Sequence, residues 1–212
     1  MFTGLIIALL AVVGAGAVVW GGLNVLAHRT DRQLPDGGRK QLTDGSAQGL
    51  LERTIRDVRV GDIIQHGGAD YLVEGVVAYD EDGHTWRGAR LVDGRNVKWL
   101  LIGLERGGAV SLRMLAEDHD THISGYPPAN LIAGGTSFSQ EMRGTANATV
   151  AGDAGSLPGT NASGTDSVMR CRWWRYETAG NQALVVEQWG GMYRVLRGEM
   201  LRSDDLELMP GS

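Results

Sequence analysis

The chain opens on an unbroken apolar run. From Met1 to Ala27 there is no Asp, Glu, Lys, Arg or His, and Leu, Ile, Val, Ala and Gly predominate. As a helix rising about 1.5 Å per residue, the run exceeds a hydrocarbon core about 30 Å thick, which predicts a transmembrane helix over residues 1–28. Residues 29–50 are polar, rich in Gly, Asp and Gln, and without apolar periodicity, the pattern of a flexible linker. Leu50, Leu51, Ile55 and Val58 then recur at helical spacing and predict a short helix.

Beyond the linker the period changes to that of strands. Residues 51–116 contain strand-like segments Asp62–His66, Tyr71–Tyr79, His84–Val92, Asn96–Leu104 and Val110–Leu115, broken at Gly67-Gly68, Asp82-Gly83, Asp93-Gly94 and Gly107-Gly108. Such dipeptides supply the positive φ angles of tight hairpins, so neighbouring segments should pair antiparallel. Tyr71 and Val73 alternate with Leu72 and Glu74, whereas Trp99–Ile102 is apolar on both faces. Residues 117–135 read as a connector holding Pro127-Pro128. A second block over 136–212 has strands at Phe138–Arg143, Asn147–Val150, Met169–Thr178, Ala183–Trp189 and Met192–Leu196, with a disordered insertion at about 151–167. The expected fold is all-β and mainly antiparallel: two meander or small-barrel-like blocks after one N-terminal transmembrane helix. Trp86 and Trp99 around the Asp93-Gly94 turn resemble Trp174 and Trp189 around Gly180-Asn181, which suggests an internal repeat.

These residues resemble a bacterial family, domain of unknown function 4178. The first block carries Val60-Gly61-Asp62, Asp70-Tyr71-Leu72-Val73-Glu74-Gly75, Thr85-Trp86 and Trp99-Leu100. The second carries Glu141, Gly144-Thr145-Ala146, Trp174-Arg175-Tyr176, Leu184-Val185-Val186-Glu187-Gln188-Trp189-Gly190, Gly198 and Leu208-Met209-Pro210-Gly211. Arg87-Gly88-Ala89 stands where members carry a bulkier, more polar continuation, which implies different local packing. The resemblance implies two copies or a duplicated block, and it transfers no catalytic residue to any position.

Charge adds topology. Arg29, Arg32, Arg39 and Lys40 lie behind the apolar run and no basic residue lies in front of it, which predicts a single-pass anchor with its C-terminal side cytoplasmic in a bacterial cell membrane. Cleavage after Ala17 or Ala27, as in a secretory signal, is the competing reading. Gly4, Ala8, Ala11, Ala15 and Gly22 form a small-residue stripe suited to helix packing, with the lipid bilayer, other membrane proteins or a second copy as partners. The chain holds 20 basic and 25 acidic residues for a net charge of −5, which disfavours general nucleic-acid binding. Its one cysteine, Cys171, excludes an internal disulfide and a multi-cysteine zinc site.

Few groups suggest chemistry. Asp118, His119, Asp120 and His122, next to Glu117, are the densest set of potential metal ligands, and a metal-dependent hydrolase is the enzymatic reading of them. A solvated acidic connector is the plain reading. Arg170, Arg172 and Arg175 interleave with Trp173, Trp174 and Tyr176, as in surfaces that bind single-stranded nucleic acid or anionic lipid headgroups. Alternation sets Cys171 and Trp173 on one face against Arg170, Arg172 and Trp174 on the other, and cross-strand ion pairs would account for the arginines. Trp86, Trp99, Trp174 and Trp189 are expected in the cores or lining a ligand groove. No catalytic residue and no cofactor is expected. The leading expectation is a membrane-anchored, non-enzymatic binding or assembly module, with a small-ligand sensor as a further alternative.

Overall fold

The computed structural model describes residues 54–108, 110–157 and 168–211. The expected membrane helix over 1–28, its packing stripe and the linker over 29–50 lie outside them. Among the described residues no helix is long and apolar enough to cross a membrane. Of the expected short helix, Leu50 and Leu51 also lie outside; the rest is a single 3-10 turn, Ile55–Asp57.

The strands are β1 (Ile63–His66), β2 (Ala69–Glu81), β3 (His84–Asp93), β4 (Asn96–Ile102), β5 (Leu112–Glu117), β6 (Asn130–Ala133), β7 (Thr136–Gly152), β8 (Met169–Glu177), β9 (Gln182–Trp189), β10 (Met192–Leu201) and β11 (Glu207–Met209). All pairings are antiparallel, as expected, and the turns expected at Gly67-Gly68 and Asp82-Gly83 separate β1 from β2 and β2 from β3. Asp82 there adopts φ 53°, tolerable for Asp in a hairpin turn.

The two expected blocks are one structure. β5 pairs with β10, and β2 pairs with β7, so β2-β3-β4-β5-β10-β9-β8-β7 closes into an eight-stranded barrel. Strand periodicity reports which residues alternate but not which distant edges meet, so the closure is absent from the local pattern. Phe138–Arg143 and Asn147–Val150 are likewise one 17-residue strand, β7, with a bulge between Gln140 and Met142. Its extra length lets it pair with β6, β8 and β2 in turn. The connector contains β6, and the supposed disordered insertion is ordered through Leu157. Ala151 and Gly152 belong to β7, while Ala154 and Leu157 are buried against the barrel interior. Small and polar composition misled there, because those two side chains cap the core.

An eight-stranded barrel is just wide enough for side chains to fill it. Its interior holds Val77, Tyr79, Trp86, Trp99, Leu101, Leu115, Trp173, Val185, Trp189 and Leu196. Two outer clusters cover opposite walls. Val58 and Ile64 pack with Val73, Leu91, Leu100 and Leu112 on the first. Leu131 and Phe138 pack with Trp174, Tyr176, Leu184 and Val186 on the second. Trp99–Ile102 is therefore apolar on both faces for a reason: Trp99 and Leu101 point inward, Leu100 and Ile102 into the first outer cluster. Gly88, inside the wall, leaves the space filled by the Tyr79 ring, 3.4 Å from where a Cβ would stand.

Both closing seams depend on close backbone approach. At the β2–β7 seam Gly75 faces Gly152, and a Cβ on Gly75 would lie 2.1 Å from the Asp153 carbonyl oxygen. At the β5–β10 seam a Cβ on Gly198 would lie 2.1 Å from the Met114 carbonyl oxygen. Backbone cannot yield as a flexible side chain would. Gly198→Ala should therefore destabilise the fold by about 2–3 kcal/mol, measured by chemical denaturation of the purified chain.

Candidate functional site

The barrel interior is built around a carboxylate. Glu187 on β9 faces Arg194 on β10 across the hairpin, and both side chains point inward. Glu187 Oε2 accepts from Arg194 Nε at 3.1 Å and from Trp189 Nε1 at 3.0 Å, and Arg194 Nη2 also donates to it. Its Oε1 accepts from the Tyr79 hydroxyl on β2 at 2.8 Å. The Arg194 guanidinium lies over the Trp99 ring of β4, 4.1 Å from its centroid. Burial disfavours the Arg194 cation, but Glu187 outweighs it and keeps the arginine charged. Burial, with the Glu187 charge beside it, pushes the Tyr79 phenol far up, so it stays a donor.

A second network fills the end of the barrel that holds the Asp82-Gly83 turn. Arg113 on β5, 1 % exposed, donates from Nη2 to Glu177 at 2.7 Å and also to Glu105 in the β4–β5 loop. Arg175 Nη1 reaches the same Glu105 oxygen at 2.7 Å. Burial works against Glu105, yet Arg113 and Arg175 hold its carboxyl below the usual range.

The opposite mouth is a cleft of about 500 Å³ lined by Glu117, His119, His122, Leu157, Trp189 and Tyr193, among others. It contains much of the acidic-histidine stretch, but the carboxylates there have separate duties. Asp118 Oδ1 accepts from the backbone amides of Asp120 and Thr121, both at 3.0 Å, and Oδ2 accepts from Arg197 Nε at 2.8 Å. Burial raises its pKa, and these donors more than reverse that, leaving the carboxyl below its ordinary value. His119 is 82 % exposed and its Nε2 lies 3.9 Å from Glu117. Asp120 and His122 are exposed. Among the described residues no three His, Cys, Asp or Glu side chains converge as a metal site.

The remaining sequence candidates are placed as follows. Trp86, Trp99 and Trp189 point into the barrel, and Trp189 also borders the cleft. Trp174 lies outside the barrel under the β6 arm, so its interior counterpart is Trp173 and the proposed matching of Trp86 with Trp174 fails. Cys171 is fully buried inside, and burial raises its thiol pKa far above the ordinary value, which makes it inert. Arg170 and Arg172 are exposed on the outer face, while Arg175 points inward. Sequence reading did not single out the Glu187–Arg194–Tyr79 group. The usable signal was opposite charges at positions 187 and 194, which face one another once the Gly190-Gly191 turn is recognised.

Two outcomes test this chemistry. Glu187→Ala leaves a buried cation without its partner and should cost about 3–5 kcal/mol, while the Glu187→Gln, Arg194→Met pair should recover most of it in a double-mutant cycle of denaturation midpoints. Asp118 is held low in the folded state, so its stabilising contribution is complete above the unfolded carboxyl range and is lost as pH falls through the folded value. The acid limb of stability against pH should flatten in Asp118→Asn.

Comparison with known proteins bears on identity. Uncharacterized proteins of Mycobacterium bovis and Mycobacterium tuberculosis are 31% identical to the chain over 100 residues, 47% of this chain and 47% of theirs. The chain thus spans about half the length of these relatives. No solved structure matches. The model of the family described as Domain of unknown function (DUF4178) matches residues 59–203 once, across both halves of the barrel, so the blocks are not two copies of that domain. The chain belongs to the DUF4178 family.

Proposed function

We propose that the chain is a membrane-anchored, non-enzymatic binding and assembly module, held at the cytoplasmic face of a bacterial membrane by Met1–Ala27. One structural observation supports the non-enzymatic reading: the buried ionisable groups of the barrel are engaged with one another. Glu187 is occupied by Tyr79, Trp189 and Arg194, and the buried Arg113 and Arg175 by the partly exposed Glu105 and Glu177. A general acid or base needs a proton-transfer site reachable by substrate, and Glu187, its side chain 3 % exposed, offers none. Recognition then falls to the cleft at the mouth and to the outer walls.

A small-ligand sensor is the second reading, favoured by the cleft itself. It combines the Trp189 and Tyr193 rings with the Glu117 carboxylate and the imidazoles of His119 and His122. A metal-dependent hydrolase at Glu117–His122 would need three of those side chains to converge, and Asp118 is already committed to Arg197 and two amides.

Topology is the first test. A reporter enzyme active only outside the cytoplasm, fused after Ser212, should be inactive, while a cytoplasmic fluorescent reporter at the same place should be bright. The reverse pattern contradicts the anchor orientation.

A further inference from the structure

We propose that the outer face of β8 around Arg170 and Arg172 docks on the anionic headgroup surface of the bilayer that anchors the chain. This rests on the anchor reading above and adds to it a specific face of the barrel. Arg170 and Arg172 alternate outward along β8. Their cross-strand neighbours are Asn147 and Thr145 on β7 and, for Arg172, Gln188 on β9, none of which carries a charge. Among the described residues neither arginine forms an ion pair, in contrast to Arg113, Arg175 and Arg194 within the barrel. The two arginines, with Gln188 and Gly190, line a groove of about 290 Å³, open enough to admit a phosphodiester headgroup.

The surroundings fit a membrane surface better than a free ion. Val168, 65 % exposed, directly precedes β8, two residues before Arg170. Basic groups beside an exposed apolar side chain are the composition of an interfacial contact. Stacking on single-stranded nucleic acid is disfavoured, because the aromatic residues interleaved with these arginines are buried: Trp173 inside the barrel, Trp174 and Tyr176 under the β6 arm. Val168 also lines a cleft with Arg56 and Asp57.

The test uses the full chain in vesicles of phosphatidylcholine alone or mixed with phosphatidylglycerol. Val168→Cys carries an environment-sensitive fluorophore, with Cys171 buried and unreactive. The chain should float with both vesicle types, and the label should shift to the blue only with phosphatidylglycerol. Arg170→Gln and Arg172→Gln should each lower the docked-to-free ratio about fivefold, and added salt should lower it further. Both residues are exposed, so near-ultraviolet dichroism of the buried tryptophans should stay unchanged. A solvent-like label on floating chain overturns the docking and leaves the anchor standing. A chain that floats with neither lipid overturns both. A blue shift in phosphatidylcholine alone, or one that persists in the double variant, overturns the role of the arginines. A label that responds to a single-stranded oligonucleotide and not to vesicles assigns the face to nucleic acid instead.

Discussion

The fold turns on one buried carboxylate. Glu187 comes from the second half of the chain, yet it takes a hydrogen bond from Tyr79 of the first, and its partner Arg194 rests on Trp99, also from the first. A charge this deep is costly unless every donor is in place, and the Tyr79 donor is in place only when the two halves close on one another. Apolar side chains of equal volume would give similar net stability. What the polar group adds is discrimination: an open two-block arrangement would leave the same charges without their partners across the seam.

Closure decides where function can reside. With Tyr79, Trp86, Trp99, Trp173 and Trp189 filling it, the interior is a packed core and has no room for a ligand. The arms formed by Ile55–Ile64 and by the connector with β6 then cover one outer wall each. The C-terminal end is drawn into the first arm, where β11 pairs with β1 and the Gly211 amide donates to Asp62 at 2.8 Å. What is left for recognition is the cleft beside Trp189 and the uncovered outer strands, including the β8 face that carries Arg170 and Arg172.

Local pattern carried much of this. Strand positions and hairpin turns followed from alternation and from Asp-Gly and Gly-Gly dipeptides, and the division of Cys171 and Trp173 from Arg170, Arg172 and Trp174 followed from period two. Barrel closure was not legible, because β2 and β7 are paired by register over some seventy positions of sequence and by the allowance that Gly75 and Gly152 make for backbone approach. The β6 strand was hidden by its brevity, and Ala154 and Leu157 by the small and polar residues around them. The acidic-histidine stretch was conspicuous in sequence and dispersed in space: Asp118 is bound to Arg197 on the outer face of β10 while His119 faces solvent. Glu187 was inconspicuous in sequence and central in space, since nothing in a single strand marks a charged residue as inward-facing.

Hydrogen exchange at the two seams measures closure most directly. If the halves form one barrel, amides of Val77 and Val150 at the β2–β7 seam, and of Leu115 at the β5–β10 seam, should exchange only through global unfolding, as slowly as Val185 in the middle of the second half. Seam amides that exchange orders of magnitude faster than Val185, with each half unfolding in its own transition, would contradict the single barrel.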